Sequence, residues 1–129
     1  MATPVTVMVV EPDVLIRMSI SDFLRECGYR VIEGVRAEDV WTVIESKVGL
    51  DVVFAEVQLS NEDTGFQLAN KLRQTQPGID VILTSGIADA AEKSSDLCEQ
   101  GPLKKPYRPQ QVADRIHLLL ERRRSAPKT

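Results

Sequence analysis

An α/β domain built on a five-stranded parallel sheet, strand order 2-1-3-4-5, with helices on both faces, is the fold this sequence predicts. Three observations carry it. Short apolar runs rich in β-branched residues alternate with segments of helical period along the whole chain. The runs at 5–10 and 51–56 are apolar at nearly every position, the pattern of strands buried on both sides in the middle of a parallel sheet. Each of these runs ends at an acid, Glu11 or Glu56, and the carboxyl edge of such a sheet is where the loops diverge to leave a ligand crevice.

The elements follow in order. Residues 5–10 form the first strand, and Glu11-Pro12-Asp13 ends it. Asp13 is placed to cap a helix over 14–27, in which Ile16, Ile20, Phe23, Leu24 and Cys27 share one face, and Gly28 stops it. A short strand over 29–32 precedes a helix over 37–47 with Val40, Trp41, Val43 and Ile44 inward, Trp41 packing between helix and sheet. The third strand, 51–56, leads into a polar loop and a helix over 66–76 with Phe66, Leu68, Ala69 and Leu72 inward, ended by Pro77-Gly78. A fourth strand begins at Asp80 and gives way to Thr84-Ser85-Gly86. The helix over 88–98 has few apolar anchors and is expected to be the most mobile element. Leu103 marks a very short fifth strand, and a last helix over 109–123 opens on Pro109 with Val112, Ile116, Leu119 and Leu120 inward.

The bulk properties set bounds. A chain of 129 residues, 43% hydrophobic and 27% charged, is one ordinary domain. Residues 5–123 are assigned to it, with 1–4 as an extension and 124–129 as a tail. The net charge of −3 conceals an asymmetry. Residues 1–100 hold 8 basic against 17 acidic side chains, −9, and residues 101–129 hold 8 against 2, +6. Nucleic acid is disfavoured as the partner of the basic end, because Arg122-Arg123-Arg124 complement the dipole of a helix terminus. Cys27 and Cys98 lack metal or redox spacing and are expected to be buried and reduced. No signal-peptide pattern or membrane-length apolar run occurs, so a cytoplasmic location is expected.

In the order 2-1-3-4-5, Glu11, Pro12, Asp13 and Glu56 converge at the switch point with Thr84 and Lys105. This set resembles the receiver domain of two-component response regulators. Val-Val-Glu-x-x-x-Leu-Ile-Arg (9–17), Asp-Val-Val-Phe-Ala-Glu-Val-Gln-Leu (51–59), Leu-Thr-Ser-Gly (83–86) and Lys-Lys-Pro-Tyr (104–107) fall in the family's register. The resemblance implies the flavodoxin-like receiver fold and a division of labour at the strand ends. A pair of acids after strand one holds Mg²⁺, which needs oxygen ligands. An Asp ending strand three takes a phosphoryl group from a histidine kinase, and a backbone carbonyl two residues later completes the metal shell. A hydroxyl after strand four and a Lys after strand five contact the phosphoryl oxygens. On this reading Glu11 is the first acid, Gln58 the carbonyl donor, Thr84 the hydroxyl and Lys105 the cation.

Three positions depart from the family pattern. Glu56 stands where the phosphoacceptor Asp belongs, Pro12 where the second metal-binding acid belongs, and Pro102 near the place of the switch aromatic. A Glu carboxylate is displaced by roughly 1.5 Å relative to Asp, and an error near 1 Å can cost a rate on the order of a hundredfold. Pro12 offers neither a ligand nor an N–H. The expectation is a non-enzymatic pseudo-receiver with weak or absent Mg²⁺ binding at Glu11, Asp13, Glu56 and Gln58, biased by a Glu56–Lys105 pair that mimics the phosphorylated state. Two alternatives use the same residues. In one, Glu56 and Lys105 are a plain salt bridge in a degenerate crevice; in the other, Glu56 is a working phosphoacceptor. Asp13 is read as a helix cap before a metal ligand, and His117 as a surface residue. A flavodoxin-like cofactor binder is disfavoured, because the acidic 11–13 loop lacks the donors that cradle a phosphate. The expected partners are a histidine kinase, a phosphotransfer protein or another regulator, met through residues 88–123 as a monomer or homodimer. No DNA-binding output domain and no membrane contact are expected.

Overall fold

The computed structural model describes residues 4–59, 64–103 and 107–125. Four parallel strands, β1 (Thr6–Val10), β2 (Arg30–Gly34), β3 (Val52–Glu56) and β4 (Asp80–Thr84), form one sheet in the order β2-β1-β3-β4. Between and after them run α1 (Val14–Glu26), α2 (Ala37–Glu45), α3 (Gly65–Thr75), α4 (Gly86–Glu99) and α5 (Pro109–Ser125). The two central strands are apolar over 7–10 and 52–55 because both faces are covered. Val7, Val9, Val52 and Phe54 join a core with α1, α4 and α5. Met8, Val10, Val53 and Ala55 join a second core with α2 and α3.

Local chemistry sets the helix ends much as the sequence suggests. Asp13 caps α1, its Oδ1 accepting from Leu15 N at 2.9 Å and Ile16 N at 3.1 Å. Gly28, at φ 93°, ends that helix in the left-handed region that side chains disfavour. Thr64 and Gln67 close a reciprocal capping box on α3. Val40 is buried, and Trp41, Val43 and Ile44 lie partly buried against the same core.

Four expectations are corrected. Leu103 forms no fifth strand: among the described residues the sheet ends at β4. The backbone there has other partners, since Gly101 N donates to Cys98 O at 3.0 Å and Leu103 N to Cys27 O at 3.1 Å. The bend after α4 is thereby bonded to the ends of α4 and α1. Lys93 Nζ donates to Leu83 O of β4.

Phe66 points outward, 61% exposed. The buried stripe of α3 runs through Gly65, Leu68, Ala69 and Leu72, and Phe66 is out of phase with it. Leu119 is also exposed, at 36%, on the edge of the face by which α5 buries Val112, Ala113 and Ile116 and packs Leu120 against the core. Finally, the cysteines are not thiols. Cys27 and Cys98 form a disulfide, because α4 packs against α1 and brings their Cα atoms to 5.4 Å across 71 residues of sequence.

The helix expected to be weakly anchored buries Ala90, Ala91, Ser94, Ser95, Leu97 and Cys98. Small side chains here permit close approach to α1 and α5, which a count of large apolar residues misses.

Candidate functional site

Glu56 and Thr84 end adjacent strands in register, so their side chains emerge side by side at the carboxyl edge of the sheet. Glu56 Oε2 lies 3.3 Å from Thr84 Oγ1 and 3.3 Å from Gly86 N, and both groups donate to it. The Thr84 hydroxyl also lies 3.4 Å from Ala55 O; having one proton, it serves the two acceptors alternately. Gly86 N reaches the carboxylate through a backbone at φ 83°, a conformation that glycine adopts without strain. The turn is held from behind, Ser85 N donating to Asp89 Oδ2 at 2.8 Å and Lys93 pairing with the same carboxylate oxygen at 3.0 Å.

Gly65 fixes the other side of Glu56. Its N–H donates to Val57 O at 2.8 Å, and a Cβ there would meet Glu56 O at 2.7 Å and Val57 Cα at 2.9 Å. The start of α3 can therefore lie directly on the backbone that carries Glu56. Gln58 forms an isolated antiparallel bridge with Thr64, and its side chain faces solvent.

Glu11 follows β1. Burial pushes its carboxyl up to about 7; the negative charge of Glu56 adds to this, and the Asp13 N–H and Arg17 only partly oppose it. Two carboxyls thus face one crevice, and burial keeps the proton on Glu11 well above the usual carboxylate range. Arg17 braces the loop, its Nη1 donating to Glu11 O at 2.8 Å while its Nε lies 3.6 Å from Glu33. Asp13 Oδ1 is occupied by the α1 cap, and Pro12 carries no ligand.

The raised Glu11 value has a definite sign. An acid with a folded-state pKa near 7 and an unfolded value of 4.5 binds its proton more tightly in the folded state. Stability is therefore fully present below pH 4.5 and declines as pH rises toward 7. The full shift would correspond to about 3 kcal/mol, which solvent screening at this partly exposed group reduces to about 1–2 kcal/mol. Glu11→Gln should flatten this decline and stabilise the domain at pH 8 by that amount, as read by denaturant unfolding across the range.

The structure thus brings together Glu11, Glu56 and Thr84 as the sequence predicts, and adds Gly86, Gly65 and Arg17, for which no role was read. The Gly after Leu-Thr-Ser and the Arg of Leu-Ile-Arg were visible in the motifs, but their backbone and bracing roles appear only in three dimensions. Lys105, with Lys104 and Pro106, lies outside the described residues. Pro102 is exposed in the bend after α4. The aromatic beyond it, Tyr107, packs edge-on against Phe23 at 4.8 Å between ring centres, and Ser95 Oγ donates to its carbonyl at 2.7 Å.

The carboxyl ends of these parallel strands thus set two acids and a hydroxyl around one crevice. The chain belongs to the response regulator receiver family, matching the receiver domain over residues 7–117. It is 33% identical over 116 residues to the uncharacterized transcriptional regulatory protein YbdJ of Bacillus subtilis (strain 168), covering 89% of this chain and 50% of that protein. It is 31% identical over 120 residues to the sensor kinase CckA of Brucella abortus (strain 2308), covering 91% of this chain and 13% of that protein. The chain therefore spans half or less of these relatives. Among solved structures, a receiver domain protein from Methanospirillum hungatei JF-1 superposes with a TM-score of 0.61 at 20% identity, over 95% of this chain and 98% of that one.

Receiver domains bind Mg²⁺ at the site of phosphorylation, and the residues here do not fit that ion well. Among the described residues no three His, Cys, Asp or Glu side chains group closely enough to hold a metal. Pro12 offers no side-chain ligand, and Asp13 Oδ1 is taken up by the cap of α1.

Proposed function

We propose that this domain is a pseudo-receiver: it takes part in two-component signalling by protein contact, without phosphoryl transfer and without enzymatic activity. The observation that supports this reading best is the engagement of Glu56 Oε2 by Thr84 Oγ1 and Gly86 N. In the family a phosphoryl oxygen takes the hydroxyl as its partner. Here a carboxylate one methylene longer than Asp reaches the same donor with its own oxygen, so a single fixed negative charge takes the place of a transient one. The same contacts draw the carboxylate away from a free position for in-line attack, and the weak metal site withholds the charge neutralisation that phosphoryl transfer requires.

Lys105 would complete this arrangement by pairing with Glu56. Mg²⁺, where it binds at all, would be held weakly by Glu11, Glu56 and the Gln58 carbonyl. The partner is a histidine kinase, a phosphotransfer protein or another regulator in the cytoplasm, docking on the face made by α4 and α5. Among the described residues no helix is long and apolar enough to cross a membrane.

The test is incubation with acetyl phosphate across a Mg²⁺ titration, followed on Phos-tag gels and by intact mass. The expected outcome is no phosphoryl adduct and no saturable metal response up to millimolar Mg²⁺. A stable acyl phosphate on Glu56 would establish the competing reading of a working phosphoacceptor.

A further inference from the structure

The Cys27–Cys98 bond has no evident structural necessity. A domain of 129 residues with two continuous cores is well above the size at which folding needs a covalent staple. Its placement is more informative. It ties the end of α1 to the end of α4, and the opposite end of α4 is the Gly86 N–H that donates to Glu56. The 14 residues between make a helix about 20 Å long, anchored at one end by the disulfide and at the other by the carboxylate.

Both cysteines are fully buried. A short surface bend, 101–103, is bonded to the backbone of both, with Pro102 exposed and Leu103 56% exposed. Two backbone hydrogen bonds hold it, Gly101 N to Cys98 O and Leu103 N to Cys27 O. It fits because Gly101 has no side chain: a Cβ would come within 3.1 Å of both cysteine carbonyl oxygens. A surface hollow of about 400 Å³, lined by Tyr29, Leu97, Gln100, Gly101 and Pro102 among others, leads to this bend. Local opening of this bend would release its bonds to the backbone of both cysteines without unfolding the domain.

We propose that Cys27 and Cys98 are a reversible thiol–disulfide site, and that its oxidation state sets the position of α4 and through it the hydrogen bond between Gly86 and Glu56. A small dithiol supplies the chemistry. One thiolate attacks a sulfur of the protein disulfide, and the second displaces the resulting mixed disulfide. Two electrons and two protons pass to Cys27 and Cys98, and the reductant leaves as its own cyclic disulfide. Hydrogen peroxide reverses the change: one cysteine thiolate becomes a sulfenic acid, and the other displaces water to re-form the bond. In the reduced state α4 keeps the Tyr29 hydroxyl bond to Leu97 O, at 2.6 Å, but loses its covalent tie to α1.

The whole chain, purified without reductant, tests this directly. Thiol titration of the native protein should find none before dithiothreitol and two after it. On reduction, amide exchange in 86–99 should accelerate at least tenfold and the Gly86 amide resonance should move, and peroxide should restore both. The double variant Cys27→Ala, Cys98→Ala should show the reduced pattern and respond to neither reagent. Three results would overturn the proposal: a bond that resists dithiothreitol until the protein is denatured, thiols that peroxide leaves unpaired, or reduction that perturbs only the surroundings of 27 and 98 while Gly86 and α4 stay unchanged.

Discussion

The double variant Pro12→Asp, Glu56→Asp is expected to bind Mg²⁺ and to take up a phosphoryl group from acetyl phosphate far more readily than the parent chain. Shortening the arm at position 56 withdraws the carboxylate from Thr84 Oγ1 and Gly86 N, both 3.3 Å away, and frees these donors for a phosphoryl group. The shift is roughly 1.5 Å, and placement on that scale is worth on the order of a hundredfold in rate. Replacing Pro12 supplies the missing oxygen ligand beside Glu11, and the bound cation would bring the Glu11 carboxyl down from about 7. Asp13 keeps its cap, so α1 should be unaffected.

Each single variant isolates one requirement. Pro12→Asp alone should gain metal affinity without phosphoryl uptake, since the longer arm remains. Glu56→Asp alone should show little uptake, since the neutralising charge is absent. Isothermal titration with Mg²⁺ and intact mass after phosphodonor treatment read the two separately. If the double variant binds Mg²⁺ yet stays unmodified, the register assigned to position 56 is wrong.

Much of this site was legible because parallel sheets write their middle strands plainly. Residues 52–55 are apolar on both faces, and the acid that follows them has to sit at the carboxyl edge. The convergence of Glu11, Glu56 and Thr84 follows from strand order alone. What the sequence hides depends on contacts between distant segments or on helix phase. Leu103 has strand character, but its N–H is taken by Cys27, a partner 76 positions earlier that no local window contains. The disulfide is hidden for the same reason, two helix ends meeting only after α4 has packed on α1. Phe66 was assigned inward because it opens an apolar segment, whereas Thr64 and Gly65 set the phase of α3 and leave it outside. Gly86 shows a third kind of loss, since its contribution is a backbone N–H, which residue type does not advertise.

Cleavage of the Cys27–Cys98 bond should also carry the largest stability cost of any change that leaves the apolar core intact. The bond closes a loop spanning 71 positions. Restricting the unfolded chain by a loop of that length is worth about 4 kcal/mol on the chain-entropy account, within a general range of about 2–5 kcal/mol. A domain of ordinary stability holds about 5–15 kcal/mol, so the loss is a substantial fraction of the whole. At this chain length the midpoint of thermal unfolding should fall by about 10–15 °C. The origin of the effect can be read from the denaturant slope. If the bond acts on the unfolded state, the reduced chain unfolds to a more expanded ensemble, and the slope rises as stability falls. If the bond instead supports a folded-state contact, stability falls with the slope unchanged. Reduced wild type and the Cys27→Ala, Cys98→Ala variant should agree in unfolding free energy to within about 1 kcal/mol, because a buried Ala at each site removes the bond at the cost of only a small cavity. A reduced protein as stable as the oxidised one would mean that the packing of α4 on α1 and α5 suffices by itself, and that the loop exerts no restraint on the unfolded chain.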